Sequence, residues 1–273
     1  MSRRSDGFTS VVLGISGKYS KNNGERKNIL ITGASAGLGE GMARQWAARG
    51  HNLALAARRL DNLQALREEL LAANPSISVE VAALDVADPD AVRRVFTELD
   101  DKLGGIDRYV LNAGLGKGAS VGSGKAWANA ETATVNVLGA LHQAEVAIEL
   151  MRARGGGHLV FISSIASRRG MLGAETTYGA TKAFVTSLAQ GIHAEQRRRG
   201  SQIKVSTILP GYIATEMTSQ NKSPLKADLN KGVQALVAAI DREPIQAAVP
   251  PLPWTVVDPL LRFLPEPVSR KLL

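Results

Sequence analysis

The strongest constraint on the fold is a recurrent alternation of short apolar runs with longer helix-like stretches. The runs lie at 28–33 (NILITG), 52–57 (NLALAA), 77–84 (ISVEVAAL), 106–112 (IDRYVLN), 157–163 (GHLVFIS) and 203–209 (IKVSTIL). Between and after them the spacing predicts helices over 38–49, 60–73, 89–103, 125–152, 176–199 and 226–241. Strands that are apolar nearly throughout, rather than alternating, suit a parallel sheet covered by helices on both faces. The expected architecture is a doubly wound α/β sheet. No low-complexity linker divides the 273 residues, so one large core is the simpler reading.

Composition removes several function classes. There is no cysteine, and the four histidines (His51, His142, His158, His193) have no metal-ligand spacing, so neither a thiol nucleophile nor a metal centre is expected. The net charge is +8, but residues 1–28 carry Arg3, Arg4, Lys18, Lys21, Arg26 and Lys27 against Asp6 and Glu25, a net +4. The remainder is only mildly basic, and with 4% aromatics it lacks stacking platforms for bases. Nucleic acid is therefore not an expected partner. No uninterrupted apolar stretch is long enough for a bilayer span, and Val11 to Ile15 is too short for a signal-peptide core. Residues 1–26 read as a poorly ordered basic tail, and the cytoplasm is the expected compartment.

In a doubly wound sheet the ligand sits beyond the carboxyl ends of the strands. The first run leads into Thr32-Gly33-Ala34-Ser35-Ala36-Gly37-Leu38-Gly39 and a helix. Glycines there permit a sharp turn and a close backbone approach to a pyrophosphate, whose charge a helix N-terminus favours. The same residues spell G-x-S-x-G, a nucleophile elbow. That motif follows the first strand, however, and no later histidine falls on a strand-end loop, which argues against a hydrolase. The second run ends in Arg58-Arg59, where a carboxylate would suit a ribose 2′-hydroxyl and arginine suits a 2′-phosphate, Arg58 more than Arg59. Asp85-Val86 ends the third run and could meet an adenine amino group, or Asp85 could cap the next helix. Asn112-Ala113-Gly114 ends the fourth, with small residues against which a cofactor can lie. Tyr178 and Lys182 are four apart on an expected helix, so an ammonium near the phenol would favour its ionised form and make it an acid and base.

Taken in order, Thr32-Gly33-x-x-x-Gly37-x-Gly39, Asn112-Ala113-Gly114, Asn136, Ser163-Ser164, Tyr178-x-x-x-Lys182 and Pro210-Gly211 resemble the motifs of the short-chain dehydrogenase/reductase family over residues 27–220. The resemblance implies a Rossmann-like sheet of about seven strands in a single domain. It also implies hydride transfer between a nicotinamide cofactor and a carbonyl or alcohol; with the arginines, the cofactor implied is NADP. On this resemblance Tyr178 is the proton donor in reduction and the base in oxidation. Lys182 holds the ribose and lowers the phenol's pKa, Ser164 hydrogen-bonds the substrate oxygen, and Asn136 organises a water path toward Lys182. The cofactor would contact Gly33, Ser35, Gly37, Leu38, Gly39, Arg58, Arg59, Asp85, Val86, Asn112, Ala113 and Gly114. It would also meet Tyr178, Lys182 and the strand-end segment Pro210, Gly211, Ile213 and Thr215, with Thr215 as a hydroxyl donor. One departure stands out: Ser164 precedes Tyr178 by 14 residues where the family has about 13, so either the loop carries one extra residue or Ser163 or Ser167 takes the role.

Domain limits are expected at 27–250 for the catalytic unit and 251–273 for a proline-rich apolar extension. Prolines punctuate that extension too often for one long helix. Three covers are open to it: a roof over the site, a partner subunit, or weak contact with a membrane surface through its basic residues. Arg168 and Arg169 either recognise an anionic substrate or form a solvated loop pair. The resemblance points to homo-dimers or homo-tetramers packed through helices near 125–152 and 176–199. Two function classes remain: an NADP(H)-dependent oxidoreductase acting on a small, apolar carbonyl or alcohol, or a non-catalytic dinucleotide-binding sensor or scaffold.

Overall fold

The computed structural model describes residues 26–219, 223 and 225–263, with side chains described to Asp258. The expectation for the tail before Arg26 and for the last ten residues lies outside the described residues. Arg26 itself is anchored, its Nε donating to Glu243 at 2.7 Å.

Seven parallel strands form one sheet in the order β3-β2-β1-β4-β5-β6-β7: β1 (Asn28–Thr32), β2 (Asn52–Ala57), β3 (Val79–Ala83), β4 (Arg108–Leu111), β5 (Gly157–Ile162), β6 (Ile203–Pro210) and β7 (Gln246–Val249). The helices are α1 (Gly37–Ala47), α2 (Leu60–Ala73), α3 (Pro89–Lys102), α4 (Ala126–Ala133), α5 (Gly139–Ala153), α6 (Glu175–Arg198), α7 (Leu229–Asp241) and α8 (Pro251–Phe263). Alternate strand residues feed two cores. Ile29, Ile31, Leu53 and Leu55 pack with Met42 and Trp46 of α1, Leu63 of α2 and Leu236 of α7. Leu30, Ala54, Tyr109 and Phe161 face the other way, onto Phe96 of α3, Ala147 of α5 and Val185 of α6. Because each strand is covered on both sides, its residues are apolar in succession, and each fully buried aliphatic side chain contributes roughly 1.5–3 kcal/mol.

The differences from the sequence reading are local. The helix expected over 125–152 is divided by a π turn at Thr134–Leu138, which carries Asn136. The four-residue β7, whose apolar run Ala247–Val249 is short, pairs with β6 from Gln246 to Val249. In α8, Leu252 is extended (φ −102°, ψ 134°), so the prolines do break the segment at its start, with helix following. The strand order reverses between β1 and β4, the switch point where a doubly wound sheet opens a crevice.

Candidate active site

The β1–α1 bend is built by glycine. Gly33 (φ +65°) and Gly37 (φ +58°) occupy the left-handed region, and a Cβ on Gly39 would stand 2.4 Å from the Gly33 carbonyl oxygen and 2.7 Å from Asn112 Nδ2. Ala36, the N-cap of α1, offers no side-chain acceptor to the first-turn N–H groups. Asn112 braces the bend: Nδ2 donates to the Thr32 carbonyl at 2.9 Å, while the Asn112 and Ala113 N–H groups donate to Thr32 Oγ1. Arg58 and Arg59 are exposed at the end of β2, and Arg59 Nε donates to Ser35 Oγ at 3.3 Å. Arg59, rather than the favoured Arg58, is thus the guanidinium in contact with the glycine bend. Thr215 faces the same bend, its Cγ2 lying 3.6 Å from where a Cβ on Gly37 would be, and it shares a capping box with Thr218. A narrow backbone cradle, an uncapped helix start, a hydroxyl and two guanidinia fit the pyrophosphate and 2′-phosphate of a dinucleotide.

Four of the expected cofactor contacts have the following placements. Asp85 is exposed and accepts only from the nearby Ala87 N–H, whereas α3 is capped by Asp88, which accepts from Asp90 and Ala91; the capping alternative for Asp85 is therefore corrected. Val86 is buried under α5, where a Cβ on Gly139 would meet it at 2.7 Å. Ile213 is a core side chain packed on Gly232, leaving only its backbone near the β6 end. Leu38 is half-buried and packs against the same core as α1.

Beyond β4 and β5 the remaining candidates converge. Asn136 is buried, accepts from the Leu115 N–H at 2.8 Å and donates to the Leu115 carbonyl and to Thr181 Oγ1. Its amide fixes the strand-end loop. Gly114 has no side chain because Lys182 Nζ and Asn136 Oδ1 would lie 3.3 and 3.4 Å from its Cβ. Ser164 begins the 3-10 turn Ile165–Arg168, accepting from the Ala166 N–H at 3.1 Å. Its Oγ donates to the Pro210 carbonyl at 3.5 Å. Burial pushes that phenol up to about 12; hydrogen bonding from Ser164 opposes the rise, and Glu175 and Tyr212 add to it. Lys182 is buried, and desolvation lowers its ammonium to about 8. Its Nζ donates to the Ile162 carbonyl at 3.0 Å and lies 5.7 Å from the centre of the Tyr178 ring. The causes of the phenol's shift are burial, Ser164, Glu175 and Tyr212, while the Lys182 ammonium is engaged by the Ile162 carbonyl.

The three candidate serines differ in their partners. Ser163 Oγ is directed away, donating to the Lys182 carbonyl and paired with Thr186 at 2.8 Å, and the Ser167 hydroxyl is buried without a hydrogen-bond partner. Arg168 is neither solvated nor open to substrate: its guanidinium is buried in a two-pronged pair with Asp258 of α8. Trp254 of α8 is fully buried, its ring filling the space a Cβ on Gly211 would need, and it packs with Ile165 and edge-on to Tyr212. Of the three covers weighed for the extension, its described part roofs the end of β6. Sequence reasoning named Thr32 within the glycine motif without giving it a role, and gave none to Trp254 or Asp258. Among the described residues no helix is long and apolar enough to cross a membrane, and no His, Cys, Asp and Glu group could hold a metal ion.

The family model described as short chain dehydrogenase matches residues 27–226. An uncharacterized oxidoreductase of Mycobacterium tuberculosis is 50% identical over 247 residues, covering 90% of this chain and 97% of its own. A short-chain dehydrogenase from Sphingobium yanoikuyae, solved in complex with NADPH, is 29% identical with a TM-score of 0.73, covering 88% of this chain and 96% of that one. A Burkholderia phymatum structure in complex with NAD shares the fold at 21% identity and a TM-score of 0.78, covering 90% and 95%. The glycine bend, the switch-point crevice and the matched span lead to one conclusion: this chain belongs to the short-chain dehydrogenase/reductase family and is an oxidoreductase with a nicotinamide-dinucleotide-binding fold.

Proposed function

We propose that this chain is an NADP(H)-dependent oxidoreductase that interconverts a carbonyl and a secondary alcohol on an apolar small molecule. The carrying observation is the convergence of Ser164, Tyr178 and Lys182 beside the glycine bend, with Ser164 acting on the phenol and Lys182 beside its ring. Gly33, Ser35, Gly37, Leu38 and Gly39 with Thr215 would hold the pyrophosphate, and Arg58 and Arg59 the 2′-phosphate. Asp85 and the Val86 backbone would border the adenine. Asn112, Ala113, Gly114, Pro210, Gly211 and the Ile213 backbone would line the nicotinamide half, with Lys182 on its ribose. When bound, the nicotinamide supplies or accepts the hydride.

The chain's own work is proton transfer and placement. In reduction, the Ser164 hydroxyl donates to the substrate oxygen where negative charge develops, and Tyr178 gives that oxygen its proton. A phenol held near 12 is protonated at neutral pH, the form a proton donor requires. In oxidation the Tyr178 phenolate, formed by prior loss of its proton to solvent, takes the proton of the alcohol, and Asn136 keeps the wall at Leu115 fixed. Val121, Leu172 and Met217 are exposed on the loops after β4, β5 and β6, which supports an apolar substrate. Leu138 and Phe184 are exposed apolar side chains within 125–152 and 176–199, which supports homo-oligomer packing there. The catalytic unit is read as residues 27–250, with α8 as its roof.

The test is NADPH fluorescence on binding, followed by loss of reduced-cofactor absorbance with a panel of ketones, aldehydes and quinones. The parent is expected to bind and consume NADPH, and Tyr178→Phe to bind without consuming it. Binding without consumption by both proteins across the panel would favour the sensor or scaffold reading.

A further inference from the structure

Helix α8 lies beyond the residues matched by the family model, yet it reaches the turn that presents Ser164. Ser164 starts that turn and Arg168 ends it. The Arg168 side chain is only 4% exposed, and its guanidinium meets the Asp258 carboxylate through two nitrogens, with Nη2 2.7 Å from Oδ2. One helical turn earlier, Trp254 packs against Ile165, the first residue after Ser164. The Ser164 turn is thus gripped at its start by apolar contact and at its end by a charge pair, both from one helix. Between this turn and α6, residues 169–172 have no regular structure, and Leu172, Gly173 and Ala174 are exposed. A two-pronged guanidinium–carboxylate bond fixes orientation as well as distance.

We propose that Arg168 and Asp258 are positioning residues that hold the turn carrying Ser164 in place beyond β5, so that the C-terminal helix completes the active site. The proposal rests on the reading of Tyr178 as acid and base. Releasing the turn lets Ser164 drift from the position where it meets a substrate oxygen, and a displacement of about 1 Å in such a group costs up to about 100-fold in rate.

The experiment compares full-length Asp258→Asn and Arg168→Lys with the parent and with Tyr178→Phe. Arg168→Lys retains the charge but not the fork, so it keeps the fold and decides the matter if Asp258→Asn does not accumulate. Three quantities are measured: NADPH affinity by fluorescence, kcat and KM per cofactor-binding molecule across pH, and hydrogen exchange at the Ala166 and Ser167 amides, which bond to Ser164. In the cofactor-free variants, those two amides are expected to exchange at least about tenfold faster while the strands stay protected. kcat is expected to fall about 10- to 100-fold with NADPH affinity within about twofold. The pH profile of kcat should move upward as the phenol loses the Ser164 hydrogen bond that lowers it. Unchanged exchange at both amides, or unchanged kcat and pH profile per binding-competent molecule, overturns the proposal. Tyr178→Phe separates the two claims: if it turns over like the parent, the acid–base reading fails; if it is inactive while the α8 variants behave like the parent, only the positioning role fails.

Discussion

Replacing Lys182 by methionine is expected to stabilise the cofactor-free protein while abolishing turnover. Lys182 is 6% exposed, and its ammonium donates to the Ile162 carbonyl at 3.0 Å. Burial lowers its pKa from 10.5 to about 8. Below about pH 8 both folded and unfolded chains carry the proton, and the folded state bears the full cost of a buried cation. Between 8 and 10.5 the unfolded chain binds more protons than the folded one, so the parent's stability rises with pH; above 10.5 both are neutral and the cost is gone. At roughly 1.4 kcal/mol per pH unit the penalty at pH 7 is about 3 kcal/mol. Losing the hydrogen bond to Ile162 returns about 1 kcal/mol of that, leaving a net gain of about 2 kcal/mol for Lys182→Met. Urea unfolding of both proteins at pH 7 and at several values up to 10.5 measures the difference. Methionine should lead at pH 7, with its advantage shrinking as pH rises. A variant less stable than the parent at pH 7, or a gap that does not vary with pH, refutes the reasoning. Retention of such a costly side chain makes sense only if its charge serves the site.

Gly39→Ala places a Cβ against the Gly33 backbone, which cannot yield as a side-chain end can; NADPH affinity should fall at least tenfold and stability by about 1–3 kcal/mol, and fluorescence titration showing parent-like binding would contradict this. Arg58→Ala and Arg59→Ala should each weaken NADPH more than NADH, by about 1.5–3 kcal/mol for a lost charged hydrogen bond, with equal losses for both cofactors removing the 2′-phosphate assignment. At the opposite end of the sheet, burial raises the Glu243 carboxyl, but hydrogen bonds from Arg26 and Lys204 and the charge near His158 overcome this and bring it to about 2. Its contribution is fully present above the unfolded value of 4.5 and disappears as pH falls through about 2. Glu243→Gln should therefore cost about 3 kcal/mol at pH 7 and progressively less toward pH 2, and a cost that does not diminish in acid-unfolding curves counts against the ion cluster.

The six apolar runs located β1 to β6 because two-sided burial writes a continuous signal into a strand, whatever its neighbours do. The glycine bend was legible for a related reason: a left-handed φ at Gly33 and Gly37 and a backbone contact at Gly39 restrict those positions to one residue type. β7 escaped notice because Gln246–Val249 becomes a strand only by lying along β6, and the π turn at Asn136 escaped because it depends on a loop 21 residues away. The Tyr178–Lys182 spacing is local and readable, whereas the ionisation of that pair is set by burial and by the Ile162 carbonyl. Sequence alone determined the sheet class, the crevice and the chemistry-bearing side chains, since each follows from periodicity or from a backbone demand within a few residues. Tertiary structure alone decided that Arg168 is buried rather than solvated and that α8 packs over the turn after β5 and the end of β6. Those outcomes depend on Asp258 and Trp254, which are 90 residues from Arg168 and 89 from Ile165, and a charge or an indole carries no mark in the chain of the partner it will meet.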